Sequence, residues 1–382
     1  MTSGIDAPGA TRRAGDVASR APERWRRRAG TSGRVTGVDV ARGLALIGMF
    51  VAHVAPAATT EAGAELIALA DERPRLLFAL VAGVGLGLLT GGRNPGRCDP
   101  PTARRQVAIR GALLVAIGLV VIEVVRPLVF VILDVYGVAF LVMVPLLFIP
   151  ARWALAAGVA LTVVMPAVVV AADGPLDAVA VPDAGRLVLD WFVTGAYPVV
   201  IWVPVMLLGL GIARAGIRER RVVHLAALWG AAAAVVGLPA ARVLGSPLPP
   251  TGSAQEAIRA GLETAGNVGV GLVVLAACVA LGEFAPPALR TTWSSLTSPV
   301  AAMGAMPLTV YTAHLVVIAG AKRVEDGIVT DDSWPLLLGL VLGSMAFAWT
   351  WQRFVGRGPL EMLMRAASGR DRTVEGSGPS AP

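Results

Sequence analysis

The chain has 382 residues, of which 55% are apolar and only 15% charged. A soluble domain carries about 25% charged residues, so this composition excludes a disordered chain and leaves too little polar surface for a soluble enzyme. The two cysteines, Cys98 and Cys278, exclude a disulfide framework or a thiolate metal site. The net charge is +7 and the pI about 10.5, a balance that by itself suits a nucleic-acid binder; the distribution of that charge argues against one.

Residues 1–33 hold Arg12, Arg13, Arg20, Arg24, Arg26, Arg27 and Arg28 and no apolar stretch. A secretory signal needs an apolar core after its basic start, so this segment reads as a disordered cytoplasmic tail lying near anionic headgroups. Residues 366–382, rich in Ser, Gly, Arg and Pro, read as a second tail. Between them, residues 34–365 form the membrane domain. Spanning ~30 Å of hydrocarbon takes ~20 apolar residues per helix. Ten segments qualify, at about 38–58, 75–91, 106–123, 127–149, 153–172, 197–213, 222–242, 263–282, 298–320 and 334–352. The expectation is an all-α, polytopic integral membrane protein of about ten helices. Two connections, Glu123 to Pro127 and Pro150 to Trp153, are short enough to close tight hairpins. No internal repeat is visible.

With the N-terminus inside and ten crossings, the cytoplasmic segments hold 23 basic residues, among them those of 91–106 and 214–221, and the outer segments six. Both termini are therefore expected to be cytoplasmic. The basic surplus reports topology, and no nucleic-acid partner is expected.

Ionisable groups inside an apolar span are costly unless paired or hydrated, which makes each a functional candidate. In the first span Asp39 and Arg42 are three residues apart and can pair on one helix face. His53 lies eleven residues beyond Arg42 on that face, about 16 Å further along the axis. In the ninth span, Pro307-Leu308-Thr309-Val310-Tyr311-Thr312-Ala313-His314 sets His314 about 9 Å below the outer edge. In the fourth, Asp134 lies seven residues in, about 10 Å by the same rise. Three titratable groups from three helices thus reach a similar depth, and a histidine near a carboxylate is suited to general base work. His224, at the inner end of the seventh span, reads as an interfacial residue. Gly83, Gly87 and Gly91, with Gly85 between them, suit close helix packing. Tyr197-Pro198 and Trp202-Val203-Pro204 predict a distorted sixth span. GxxxxGK[ST], HExxH and GxSxG are all absent, and no metal site is expected.

Val38-Asp39-Val40-Ala41-Arg42-Gly43-Leu44-Ala45-Leu46-Ile47-Gly48-Met49 followed by His53 resembles the opening of the heparan-alpha-glucosaminide N-acetyltransferase-like catalytic domain, and Phe78-Ala79-Leu80-Val81-Ala82-Gly83-Val84 resembles its second helix. Val131–Gly137, Thr194–Pro198, Leu308–His314 and Arg357-Gly358-Pro359-Leu360-Glu361 resemble bacterial members and the related YeiB-like membrane proteins. The resemblance runs from about residue 34 to 365. It implies an acyltransferase that moves an acyl group, acetyl in the first instance, from cytoplasmic acyl-CoA to a sugar or glycolipid acceptor at the outer side. In the lysosomal enzyme an essential histidine follows the first helix; residues 54–74 contain no histidine here, and His53 is the nearest. The expected catalytic set is His53, as general base or transient acyl acceptor, with Asp134 and His314 orienting or assisting. The expected acyl-CoA contacts are Asp39, Arg42 and Arg110. The expected setting is a bacterial cytoplasmic membrane, with the bilayer and the acceptor as partners and a homodimer left open. A transporter or flippase for a lipid-linked or acidic solute is the alternative, and a structural or sensory membrane protein without turnover a third.

Overall fold

In the computed structural model, residues 34–177, 181–245, 252–325 and 327–369 are described; the expected tails at 1–33 and 370–382 lie outside them. Each of the ten apolar segments carries helix. The first span is α1, Thr36–Val54, followed by a short α2, Glu61–Ala68. The second is α3, Arg73–Leu89, with Pro74 at its start, where a missing N–H costs nothing. Asp99 caps α4, Pro100–Val120, by accepting the Thr102 N–H at 3.1 Å. Its hydrogen bonds with Thr102 hold the Asp99 carboxyl below its usual range. A π turn over Val121–Val125 extends α4.

The fourth span departs from expectation. Residues 127–132 are not helical, and α5 covers only Leu133–Met143, with turns following. Prolines flank this stretch. Pro127 disfavours helix at Arg126, which adopts φ 49°, and Pro145 has no N–H to continue the α5 ladder beyond Val144. The long helix α6, Ala151–Asp177, comes next, then α7, Asp183–Leu189, which a second π turn extends over Asp190–Thr194. After a break at 195–198 follow α8, Val199–Ala215, α9, Arg220–Leu244, and α10, Ala254–Glu283. The distortion expected in the sixth span is thus confined to its start, and Pro204 lies within a continuous helix.

The ninth span is broken. α11, Pro287–Ala305, and α12, Pro307–Gly320, meet at 80°. The cause is local: Pro307 opens α12, so Met306 is driven out of the helical region to φ −131°, ψ 55°. A hairpin of two short strands, β1 at Arg323–Glu325 and β2 at Ile328–Thr330, leads to α13, Trp334–Phe354. The last helix, α14, Pro359–Ala367, runs two residues past the expected end of the domain at 365.

Six of these helices are long and apolar enough to cross a membrane: α1, α4 with its π turn, α6 over Ala151–Ala172, α9, α10 and α13. The number rises to eight if each bent pair, α7–α8 and α11–α12, is one span. α1 packs on α3, α10 and α11; α3 also packs on α8; α9 packs along α10. α4 and α5 lie together as the first expected hairpin, whereas α6 turns away from the second to pack on α8 and α10. Close backbone approach requires glycine at Gly83, where a Cβ would overlap the Met206 carbonyl of α8, and at Gly304, where it would overlap the Asp39 carbonyl of α1. Gly91, by contrast, is in a turn beyond α3 with φ +96°.

Arg214 differs from the other basic residues of 214–221, which are exposed. It is only 7% exposed. Its guanidinium donates to the carbonyls of Thr90 at 2.9 Å, Gly92 at 2.7 Å and Leu147 at 2.6 Å, and to the Thr90 hydroxyl at 2.7 Å. These acceptors include the C-terminal cap of α3, where a cation also meets the negative end of the helix dipole. One side chain therefore ties together the ends of α3 and α8 and the turn after α5. We expect Arg214→Met to destabilise the protein by about 3 kcal/mol, because buried carbonyls lose charged donors. Thermal unfolding in detergent measures this; an unchanged midpoint would contradict the tie.

Candidate active site

The two ends of α1 carry different chemistry. Near its start Arg42 donates through Nη1 to Asp39 Oδ1 at 3.0 Å and to the Gly304 carbonyl at 2.8 Å. Gly304 is in the last turn of α11, so Arg42 satisfies a carbonyl left open by the helix break. The expected Asp39–Arg42 pair is present, and it has a structural task. Arg110 lies half-buried midway along α4, a helix that packs on α5 and touches α14.

At the other end, His53 meets His314. Nδ1 of His53 and Nε2 of His314 are 3.1 Å apart, and the rings stack with centroids at 5.3 Å. His314 is 1% exposed, whereas His53 is half-buried. Nδ1 of His314 faces the backbone carbonyl of Tyr311, one turn earlier. That carbonyl only accepts, so with neutral rings the chain has one consistent assignment. His314 donates from Nδ1 to Tyr311, His53 donates from Nδ1 to His314 Nε2, and the lone pair of the pair is left on His53 Nε2.

What aims α12 at α1 is a carboxylate. Glu361, on α14, accepts the N–H groups of Leu308 at 2.8 Å and Thr309 at 3.1 Å and the Thr309 hydroxyl at 2.5 Å. It acts as an N-terminal cap supplied from elsewhere in the chain, with the favourable sign for the helix dipole. The segments 308–314 and 357–361, far apart in sequence, are thus one structural unit.

His53 borders a cavity of about 320 Å³, whose wall includes Asp71, Arg75, Tyr197 and Tyr311. Arg75 pairs with Glu72 and lies 5.4 Å from the centre of the Tyr197 ring. The Tyr311 hydroxyl accepts the Ile132 N–H at 3.3 Å, fixing the non-helical stretch before α5. Asp134 is close in sequence to that stretch, but its observed partner is the indole N–H of Trp191 at 2.8 Å. The structure brings His53 and His314 together and gives Asp134 a separate neighbourhood. His224 is exposed. The sequence pattern does not mark Asp71, Arg75, Tyr197, Tyr311, Trp191 or Glu361 as site residues. Tyr311 was findable from its place three residues before His314 on one helix face, and Glu361 from its place in a quoted segment; Asp71 and Trp191 sit in connections with no periodic signal.

Apolar helices enclosing a small set of polar side chains define an integral membrane protein with an internal site. The chain belongs to the heparan-alpha-glucosaminide N-acetyltransferase catalytic family, a transmembrane acetyltransferase-like family, whose profile matches residues 34–239. That stretch runs from α1 into α9 and includes Asp39, Arg42, His53, Arg110 and Asp134, while His314 and Glu361 lie beyond it. No curated protein matches the sequence significantly. The family implies an acyl-CoA donor. Arg42 fits one of its anionic groups: Nη1 is engaged, while beside Gly85 of α3 a Cβ would have only Nη2 of Arg42 within contact range, at 3.5 Å.

Removing the cap should be felt at the histidines. Glu361→Ala is expected to cost about 1–2 kcal/mol, with a lowered unfolding midpoint, and Glu361→Gln, which keeps an acceptor, less. Equal midpoints for Glu361→Ala and the parent protein would contradict the cap.

Proposed function

We propose that this protein transfers an acetyl group from cytoplasmic acetyl-CoA to a sugar or glycolipid acceptor at the outer face of a bacterial cytoplasmic membrane, with both its termini in the cytoplasm. The observation that carries the reading is the His53–His314 pair at the wall of a cavity, together with membership of the family. Acyl-CoA, when bound, supplies the activated carbonyl as a thioester, and its leaving thiolate takes up the proton released by the acceptor. His53 Nε2 removes that proton from the acceptor hydroxyl or amine as the new bond to the carbonyl carbon forms. His314 is a positioning residue: it holds the Nδ1 proton of His53 and so keeps the lone pair at Nε2. Arg42 receives an anionic group of the donor through Nη2 at the inner end of α1. From there His53 is about 16 Å along the helix, a separation that suits a donor whose reactive end sits on a long arm. The same Nε2 would be the nucleophile if the acetyl group rested on the ring.

Broken helices are also a feature of transporters. Here the groups freed at Gly304, Leu308 and Thr309 are taken by Arg42 and Glu361, which favours the transferase reading over solute coordination at the break.

Purified protein given acetyl-CoA and an extract of envelope lipids and glycans tests the proposal through release of free CoA thiol. His53→Ala is expected to reduce release by roughly 10²–10⁴-fold. No release by the parent protein at millimolar acetyl-CoA would contradict the reading. Radiolabelled acetyl-CoA without acceptor separates the two routes: label on the protein that His53→Ala abolishes marks the covalent one.

A further inference from the structure

A second cavity, also of about 320 Å³, lies between the end of α4 and the α7–α8 turn. Asp134 forms part of its wall and is 5% exposed. Oδ2 accepts from Trp191, but Oδ1 is buried and has no hydrogen-bond partner among the described residues. Buried carboxylate oxygens are rarely left so, and an exception calls for an explanation. The surrounding backbone is unusual as well. The π turn at Val121–Val125 contributes Ile122, and the π turn at Asp190–Thr194 contributes Trp191. Between them in the wall is Arg126, at φ 49°, the non-glycine residue in the left-handed region among those described. π turns and left-handed non-glycine residues both concentrate at functional sites. Three such distortions converge on one cavity that holds an unsatisfied carboxylate.

We propose that this cavity takes the head of a membrane aminophospholipid, with Asp134 as the counter-ion of its primary ammonium. An acceptor-only carboxylate with one free oxygen calls for a donor, and a buried, unbalanced negative charge calls for a cation; an ammonium with three N–H groups is both. Arg126, on the same wall, offers a guanidinium to the phosphate beside the amine. Most other lining residues are apolar, Pro127, Val129 and Val131 among them. Nearby Val124 and Phe130 are 75% and 72% exposed, an outward apolar surface that suits acyl chains rather than water. Val129, Phe130 and Tyr197 line both this cavity and the one at His53, so the two share a wall. Lipid binding here is independent of the transferase reading.

The test is titration of the purified full-length protein with dihexanoyl phosphatidylethanolamine in the absence of acetyl-CoA, read by calorimetry. Saturable binding at least tenfold tighter than that of dihexanoyl phosphatidylcholine, whose nitrogen carries no N–H, is expected. Glycerophosphoethanolamine, the same head without chains, is expected to bind at least tenfold more weakly than the lipid. Asp134→Asn should lose the preference between the two lipids, and His53→Ala should keep it. Ala196→Trp, at an exposed position of the lining, fills the cavity and should abolish binding of both lipids even if Asp134→Asn fails to fold. Equal affinity for the two lipids, equal affinity for the chain-free head, or undiminished binding by Ala196→Trp would each overturn the assignment. Because the titration contains no acetyl donor, its outcome bears on this site alone, whereas release of CoA thiol in the separate assay bears on the transferase reading alone.

Discussion

A helix broken inside an apolar domain leaves carbonyls on one side of the break and N–H groups on the other with no water to meet them. The break at Met306 is the point on which the rest of this structure depends. Arg42 takes the Gly304 carbonyl before it, and Glu361 takes the Leu308 and Thr309 N–H groups after it. One charged side chain holds each arm, so the 80° bend is fixed rather than a hinge. With α12 held in that direction, its third turn brings His314 to His53, and its second brings Tyr311 to the backbone before α5. The same geometry requires α1 and α11 to touch at the backbone, which only a glycine at 304 allows.

Two ends of one helix therefore divide the labour. Near the start of α1, Asp39 and Arg42 secure the break between α11 and α12, with Arg42 acting through Nη1. His53 meets the buried imidazole at the other end and borders the cavity. The motif spanning Asp39 to His53 lies on a single helix that joins the helix break at one end to the histidine pair at the other.

Much of the helical layout was legible in the sequence, because long apolar runs have few alternatives in a membrane. All ten runs hold helix, and the prediction that His53 and His314 share a depth matches their 3.1 Å contact. The places where sequence reasoning fell short have specific causes. A 23-residue apolar stretch from 298 to 320 reads as one straight span, although Pro307 was the signal that it is two. Asp134 was placed by counting helical rise from Pro127, but residues 127–132 are not helical, so the count does not apply and the carboxylate pairs with Trp191 instead. Arg214 was counted with a surface loop because a single basic residue at a helix end does not reveal which way it turns. Glu361 caps a helix more than fifty positions away in sequence, a relation that no local pattern encodes.

The hydrogen-bond chain from Tyr311 through His314 to His53 makes a sharp claim about where two protons lie. The chain has three histidines, so ¹⁵N-histidine labelling of the His224→Gln protein in lipid leaves only the two rings of interest. Solid-state NMR then reads their tautomers at a pH where both are neutral. The hydrogen-bond chain requires a protonated Nδ1 and a bare Nε2 on both rings, with coupling across the His53 Nδ1 to His314 Nε2 hydrogen bond. A proton on Nε2 of either neutral ring would break the chain and remove the basis for assigning the reactive lone pair to His53.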